Sequence, residues 1–344
     1  MAKKKKRIEK KVTIGSKRVS VYGFSAFEIQ QKIEALQNAE ERKKFPLFNE
    51  VLDLWQEEHF ENIALGTQTC YKPAIKRAEN EFKGIRLCDI TPMDITALLQ
   101  QLAFLGYSHQ TVKIQRVVIG LVFKYAQSKG FIQNNPAEHA EMPPKLPKKI
   151  REIPDDDAIN IVMKSADKPF GEFALFLLMT GCRRGEALAL KWSDIDFDKK
   201  VITVNKNIVY NGNQAIVEQH TKTSAGMRKV VLLDILYNLL LPMKENAMPA
   251  DYIFGNGDTP LTQSQFRRRW EQYLKETEIK ITPHQLRHAY ATILFDAHID
   301  EKVAQTFMGH SKIEITRNVY THIRQQRATH AQTDLNEYIS KNLA

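Results

Sequence analysis

The chain has 344 residues, a hydrophobic fraction of 43% and a formal net charge of +10. This length predicts two domains, and the composition is that of an ordinary globular protein. The three cysteines, Cys70, Cys88 and Cys182, are odd in number and lack the Cys-x-x-Cys spacing, which argues against a disulfide scaffold and a zinc site. The longest apolar run, residues 173–180, is too short to span a membrane, so we expect a cytoplasmic protein with no membrane partner.

The positive charge is concentrated at the N-terminus. Residues 1–44 contain 13 Lys and Arg but only 5 Asp and Glu, which leaves the rest of the chain nearly neutral. Local basic clusters of this kind are typical of nucleic-acid contacts, although a solvated surface is the alternative for each. The basic residues expected to bind DNA are Lys3, Lys4, Lys5, Lys6, Arg7, Lys145, Lys148, Lys149 and Arg151.

The first 153 residues predict three segments. Residues 1–44 combine the basic tail with one strand, 12–22, and one helix, 26–40. Residues 46–140 carry apolar stripes at helical spacing, which predict four or five helices separated at glycines 66, 84, 106 and 130. Residues 141–153 contain three prolines and four basic residues and are expected to form an extended linker.

Residues 154–324 predict a second domain of helices with one small antiparallel sheet. A buried helix, 173–179, should stop at Gly181 and be followed by a second helix that ends at Trp192. Strands are expected at 201–210, 215–220 and 228–233, with a turn at 222–226. Thr282 and Pro283 should begin a helix, because they are favoured at the N-cap and first helical positions.

The C-terminal part of the chain predicts two separate helices. Ser311 and Glu314 have the spacing of a capping box and should open a short helix that carries Tyr320. A further helix is expected at 325–344. Its apolar stripe could dock on its own domain or on a neighbouring protomer, and consists of Leu335, Tyr338, Ile339 and Leu343.

Six residues in the second domain have the side chains needed to cut a DNA phosphodiester. Two guanidinium groups, Arg183 and Arg287, can neutralise the phosphate through charge-assisted hydrogen bonds. His284 and His310 can donate hydrogen bonds or accept a proton near neutral pH. Tyr320 can attack the phosphorus once its phenolate is favoured by the arginines, and Lys222 can protonate the leaving sugar oxygen.

Each of these residues alone has an ordinary structural explanation. Arg183 in Arg-Arg-Gly-Glu is typical of a surface turn, and Lys222 of a solvated hairpin. His284 and Arg287 share a helix face as any surface pair does, and Tyr320 could simply be half-buried. The combination of six suitable groups in one order is the specific signal.

In this order and spacing, residues from about 150 to 340 resemble the catalytic domain of the tyrosine recombinase (phage integrase) family. The matched strings include Thr-Gly-Cys-Arg-Arg-Gly-Glu, His-Gln-Leu-Arg-His and a Gly-His pair ten residues before Tyr320. The resemblance implies that Arg183, Lys222, His284, Arg287, His310 and Tyr320 are catalytic, with Glu186 and His288 in supporting roles. It further implies a 3′-phosphotyrosyl intermediate formed without metal, ATP or any other cofactor.

The resemblance also implies an architecture and partners. The fold would be mainly α-helical with a small antiparallel sheet, arranged as a two-domain DNA clamp of a core-binding domain (46–140) and a catalytic domain (154–324). Residues 1–44 resemble a shortened arm-binding domain. The partners would be double-stranded DNA at attachment or crossover sites, three further copies of the chain in a tetramer, and an excisionase or host architectural protein.

The sequence therefore predicts a site-specific recombinase, an integrase of a phage or other mobile element that acts on DNA in a bacterial cytoplasm. Two other classes remain open from the residues alone. One is an enzyme with the same chemistry, a type IB topoisomerase or a telomere resolvase. The other is a DNA-binding regulator that has this fold but performs no chemistry.

Overall fold

The computed structural model describes residues 7–147, 154–219 and 227–342. The chain divides into two compact units, Met1–Ile150 and Arg151–Ala344. Both are mainly helical with short antiparallel strands, as the sequence predicted. Among the residues described, no helix is both long enough and apolar enough to cross a membrane.

The first unit begins with a β-hairpin where a single strand was expected. Strand β1 (Ile8–Ile14) pairs antiparallel with β2 (Lys17–Gly23), and Ile14 lies opposite Lys17. Gly15, at a φ of +58°, takes the left-handed backbone conformation that glycine adopts without steric cost and that tight hairpin turns require. The prediction of one strand over 12–22 was therefore wrong, because this turn divides it.

Helix α1 (Ala26–Arg42) packs on the hairpin. It begins at Ser25, whose hydroxyl accepts a hydrogen bond from the backbone N–H of Glu28. A small apolar core joins the two elements and consists of Val21, Ile29 and Ile33. This segment is therefore a folded module of two strands and one helix.

Four α-helices follow: α2 (Phe48–Phe60), α3 (Leu65–Glu81), α4 (Pro92–Phe104) and α5 (His109–Ser128). Gly84, Gly106 and Gly130 have positive φ and lie just after α3, α4 and α5, as predicted. Gly66 does not separate two helices as predicted, because it lies inside the first turn of α3. The predicted apolar stripes form the core of this unit, except that Leu54 and Val117 are exposed.

The first half of the expected linker packs against these helices. Leu146 is buried and belongs to their apolar core. The Pro147 carbonyl accepts a hydrogen bond of 3.0 Å from the His109 backbone N–H. Lys145 is exposed at a turn with a φ of +58°. Residues 141–147 are therefore a packed part of the first unit rather than a free spacer.

The second unit contains eight α-helices and five strands among its described residues. Its helices are α6 (Asp156–Lys164), α7 (Gly171–Thr180), α8 (Arg184–Leu188), α9 (Asp234–Lys244), α10 (Gln263–Thr277), α11 (Pro283–Asp296), α12 (Glu301–Met308) and α13 (Ile313–Asn342). Its strands are β3 (Ile195–Asp196), β4 (Val201–Val204), β5 (Lys206–Asn211), β6 (Gln214–Gln219) and β7 (Arg228–Val231). The buried helix α7 lies in the centre of the core, where Phe173, Phe176 and Leu177 are fully buried.

The strands form two sheets rather than one. The segment predicted as a single strand over 201–210 divides at Asn205 into β4 and β5. Strand β4 pairs with β3 and β7, whereas β5 pairs only with β6. The predicted turn at 222–226 lies outside the described residues. The helix expected to reach Trp192 ends at Leu188, and a single 3₁₀ turn follows at Trp192–Asp194.

The two predicted C-terminal helices are one continuous helix. Tyr320 lies on α13, which continues to Asn342, so the prediction of a short helix followed by a separate one was wrong. No glycine or proline interrupts this stretch, and without such a residue nothing forces the helix to stop. Of the predicted stripe, Tyr338 is exposed. The side chains of Leu335, Ile339 and Leu343 lie outside the described residues.

Two glycines with similar backbone conformations allow a test of the packing at the end of α7. Gly181 (φ +61°) faces Tyr290, and a Cβ added there would lie 2.2 Å from the Tyr290 ring. Gly212 (φ +57°), in the β5–β6 turn, has no atom within 4 Å of its virtual Cβ. Gly212→Ala should cost about 1–2 kcal/mol from backbone strain alone. Gly181→Ala should cost about 3 kcal/mol or more, since overpacking is added. Thermal unfolding measures both variants, and equal losses would contradict the close packing of Gly181.

Candidate active site

Arg183 lies at the junction between α7 and α8. Gly181 ends α7 in the left-handed conformation, and Arg183 then begins α8 with its backbone N–H bonded to Glu186 Oε2 at 2.8 Å. Its Nη1 contacts Glu186 Oε1 at 2.7 Å, and its Nη2 donates to the Gly309 carbonyl at 3.3 Å. The side chain remains 48% exposed. Arg183 is therefore held in place while part of its guanidinium group is accessible.

Glu186 is buried between two arginines. Besides Arg183, it accepts a hydrogen bond of 2.7 Å from Arg228 Nη2. Burial alone would raise the pKa of Glu186, but the hydrogen bond and charge of Arg228, together with the charge of Arg183, lower it to about 2. The side chain is therefore a carboxylate at neutral pH.

Arg287 approaches the same place from α11. The Thr282 hydroxyl accepts a hydrogen bond from the Gln285 N–H and Pro283 is the first helical residue, so the predicted start of this helix is confirmed. Arg287 is buried and donates from Nη1 to the Gly181 carbonyl at 2.5 Å and from Nη2 to the Met308 carbonyl. Burial, with the nearby charge of Arg183, lowers the pKa of Arg287 to about 10, so it stays protonated at neutral pH.

His310 follows Gly309, which ends α12 with a φ of +62°. Its Nδ1 lies 2.8 Å from Thr316 Oγ1 on α13. Burial and the charges of Arg287 and Arg183 lower the pKa of His310 to about 4. A neutral imidazole at pH 7 can take part in hydrogen bonds without adding a further positive charge.

The other two histidines of the predicted site lie one turn apart on α11. The ring centroids of His284 and His288 are 4.5 Å apart in an edge-to-face arrangement. The charge of His288 contributes to the lowered pKa of His310, so His288 lies near His310. His284 is exposed and His288 is half-buried.

Tyr320 does not have the environment that the sequence suggested. Its side chain is 3% exposed, its hydroxyl donates to the Ile299 carbonyl at 3.4 Å, and its ring packs edge-on against Phe295. Burial and the negative charges of Glu301 and Asp300 raise its pKa above the ordinary value. The expectation of a phenolate favoured by Arg183 and Arg287 was therefore wrong for this conformation, since carboxylates rather than guanidinium groups set its charge environment.

Several predicted residues cannot be compared with the structure. Lys222 lies outside the described residues, and so do the basic residues Lys3, Lys4, Lys5, Lys6, Lys148, Lys149 and Arg151. Arg7 is exposed and lies over the Tyr22 ring, 4.5 Å from its centroid. The structure contains no nucleic acid, so DNA binding by Arg7 and Lys145 stays a prediction.

Arg228 is a site residue that reasoning from the sequence missed. It lies at the first position of β7 and has a buried guanidinium group that contacts Glu186, the Phe307 carbonyl and Cys182. These partners are 42 to 79 residues away in the chain, so no local pattern could have revealed them. Arg183, Arg228 and Arg287 together surround a single carboxylate, which leaves an excess of positive charge. Nowhere in the described ranges do three or more His, Cys, Asp or Glu residues gather as a metal site would require.

Comparison with known proteins identifies the fold and the family. The model of the phage integrase family matches residues 148–327, more than half of the chain, and that of the phage integrase N-terminal SAM-like domain matches residues 47–103. The chain belongs to the phage integrase family. It is therefore a site-specific tyrosine recombinase of the mobile-element type, the first of the functions that its sequence left open.

Relatives of this integrase-family chain include a XerC-like tyrosine recombinase from Caldanaerobacter subterraneus subsp. tengcongensis. It is 29% identical over 300 residues, which cover 78% of this chain and 75% of the relative. The transposase of transposon Tn916 from Enterococcus faecalis is 23% identical over 293 residues, which cover 76% of this chain and 70% of the relative.

Among solved structures, the Tn1549 transposon integrase in complex with transposon right end DNA superposes with a TM-score of 0.66 at 20% identity, covering 86% of this chain and 99% of that one. The lambda integrase tetramer bound to a Holliday junction gives a TM-score of 0.64 at 21% identity, and the match covers 86% of this chain and 90% of that one. At these identities the likeness establishes the two-domain fold.

The low pKa of His310 predicts a dependence of stability on pH. Its pKa of about 4 in the folded chain lies below the unfolded value of about 6.5, so the unfolded state binds more protons between these pH values. The stabilisation from neutral His310 should be present above pH 6.5 and decrease as the pH falls toward 4. The free energy of unfolding of wild type and of His310→Gln can be measured by urea unfolding. The difference between the two should be constant above pH 6.5 and should change as the pH falls toward 4. A difference that stays constant from pH 7 to pH 4 would contradict the buried position of His310.

Proposed function

We propose that the chain cleaves and rejoins DNA through Tyr320, with the arginine cluster as the phosphate-binding part of the site. The observation that carries this proposal is the excess of guanidinium groups over carboxylates around Glu186, held in place by backbone carbonyls and by Glu186 itself. A phosphodiester brings the negative charge that this cluster lacks. Donors fixed before the substrate arrives need no reorganisation during the reaction.

In the proposed reaction the Tyr320 oxygen bonds to phosphorus and the bond from phosphorus to the 5′-oxygen breaks. Arg183 and Arg287 stabilise the charge on the non-bridging oxygens. The Tyr320 proton passes to a neutral imidazole, His310 or His284, and the remaining histidines, including His288, donate or accept hydrogen bonds around the phosphate. Lys222 protonates the departing 5′-oxygen. Rejoining is the reverse, and the 3′-phosphotyrosyl bond conserves the energy of the broken bond, so the proposal requires no ATP and no metal.

Tyr320 must move before it can react in this way. Its hydroxyl is bonded to the Ile299 carbonyl, and its raised pKa opposes formation of the phenolate. We infer that the described conformation is a resting state and that substrate binding moves Tyr320 away from Glu301 and Asp300. A phosphate bound by Arg183 and Arg287 would draw the tyrosine into a positively charged environment.

The proposed substrate is double-stranded DNA at attachment or crossover sites of a mobile element in a bacterial cell. The similar solved structures are integrases bound to DNA, including lambda integrase as a dimer and as a tetramer. We propose the same tetrameric assembly here. The proposal has further parts. Residues 1–44 would be an arm-binding module, residues 46–140 the core-binding domain, and the last helix would dock between protomers. An excisionase or a host architectural protein would be an additional partner. The origin from a phage rather than another mobile element also stays a prediction.

Covalent trapping tests the proposed nucleophile. On a nicked suicide substrate, Tyr320→Phe should form no protein–DNA adduct in a denaturing gel, yet bind DNA like wild type, because one oxygen is removed and little volume changes. Tyr290→Phe is the matched control, since Tyr290 is buried in the same apolar cluster, and it should keep the adduct. Wild type should also form the adduct in excess EDTA. An adduct with Tyr320→Phe, or its loss with Tyr290→Phe alone, would place the nucleophile elsewhere.

A sulfur-substituted substrate tests Lys222. If Lys222 protonates the leaving 5′-oxygen, Lys222→Ala should cleave normal DNA about 10²-fold more slowly, but should recover when sulfur replaces that oxygen, because a thiolate leaves without a proton. Lys229→Ala, at an exposed lysine on β7, should behave like wild type on both substrates. Equal defects of Lys222→Ala on the two substrates would assign Lys222 to phosphate binding instead.

A further inference from the structure

Arg228 is a deeply buried charged residue that the proposed reaction does not use directly. Its side chain is 3% exposed and that of its partner Glu186 is 1% exposed. A buried charge is costly unless it is paired, and removal of one partner of such a pair is strongly destabilising. Because the guanidinium group cannot reach solvent, it cannot contact a bound phosphate directly. Any influence on the reaction must pass through its neighbours.

Those neighbours lie on two helices of the site and in the turn between α7 and α8. Nη2 bonds to Glu186 on α8 at 2.7 Å and lies 3.7 Å from the sulfur of Cys182, the residue before Arg183. Nε donates to the Phe307 carbonyl near the end of α12 at 3.1 Å. Arg228 itself begins β7. A single side chain therefore connects α8, α12 and the three-stranded sheet.

The close packing at Gly309 extends this connection to His310. A Cβ at Gly309 would lie 2.8 Å from Arg228 Nη1, so only glycine lets the chain pass this close to the guanidinium group. Nη1 is buried and has no hydrogen-bond partner among the described residues. The Gly309 carbonyl accepts the bond from Arg183 Nη2, and the next residue is His310. Arg228 thus lies behind both Arg183 and the turn that places His310.

We propose that Arg228 is a positioning residue of the cleavage reaction, which fixes Glu186 and the Gly309–His310 turn so that Arg183 and His310 face the same phosphate. This inference rests on the proposed roles of Arg183, His310 and Tyr320. Without Arg228, Glu186 would keep only Arg183 as a charged hydrogen-bond partner, and the end of α12 would lose its tie to the sheet. A small displacement of catalytic groups is enough to slow an enzyme greatly.

The test is single-turnover adduct formation on pre-bound suicide DNA, with the stability of each variant measured in parallel. Arg228→Met, which keeps the apolar stem but removes the charge, should cleave about 10²-fold more slowly than wild type at a temperature where it is folded and DNA-bound. Arg228→Lys should recover part of the rate, since an ammonium group can keep the contact with Glu186 but lacks the planar fork. The matched control is Lys206→Met, which breaks the partly buried Lys206–Asp194 pair in the same unit and should lose stability with little change in rate.

Two further arms separate the possible outcomes. Arg228→Met and Glu186→Gln should be far from additive, because both act through one contact. The defect of Arg228→Met should persist with a sulfur leaving group, whereas rescue would mean that Arg228 acts through the Lys222 segment and would overturn the assignment. A normal rate for folded Arg228→Met would also overturn it and leave Arg228 a purely structural role. If Tyr320→Phe still forms adduct in the same assay, the proposed nucleophile is wrong, and that failure is visible independently of the Arg228 variants.

Discussion

The interaction on which this site depends is the buried carboxylate of Glu186 between Arg183 and Arg228. Three guanidinium groups in one place would repel each other strongly in a medium of low polarity. Glu186 offsets that repulsion, because Oε1 contacts the Arg183 guanidinium group while Oε2 contacts the Arg228 guanidinium group and also accepts the Arg183 backbone N–H. Arg287 has no such carboxylate bond and is instead held by the carbonyls of Gly181 and Met308. The cluster is thus stable while it keeps an excess of positive charge for a phosphate.

The residues proposed to be catalytic fall into two sets with opposite electrostatics. The arginines, with His310 close by, form a rigid cationic set held by α8, β7, α11 and the end of α12. Tyr320 belongs to the second set, on α13, where its hydroxyl bonds to a carbonyl and where burial, together with two carboxylates, raises its pKa. Such a separation keeps the phenol protonated and unreactive until α13 and the phosphate are brought together.

The sequence was informative where function depends on local geometry and uninformative where it depends on distant contacts. Thr282 and Pro283 begin α11, and Gly181 ends α7, because capping and left-handed turns are decided by a few adjacent residues. Arg228 could not be found in this way, since its partners lie far along the chain. The environment of Tyr320 depends on how α13 packs, which a motif does not encode. The division of 201–210 into two strands depends on which neighbours each half pairs with, and that is a tertiary choice.

The protonation state of Glu186 tests most directly whether Arg183 and Arg228 hold this carboxylate. Its side-chain carboxyl carbon can be followed by ¹³C NMR in the full-length chain, with Glu186→Gln used to assign the signal. Since the pKa of Glu186 is about 2, the signal should keep its carboxylate shift as the pH is lowered from 7 to about 4. A titration midpoint at or above the ordinary glutamate value of about 4.3 would show that the two arginines do not hold this carboxylate, and the central claim would be wrong.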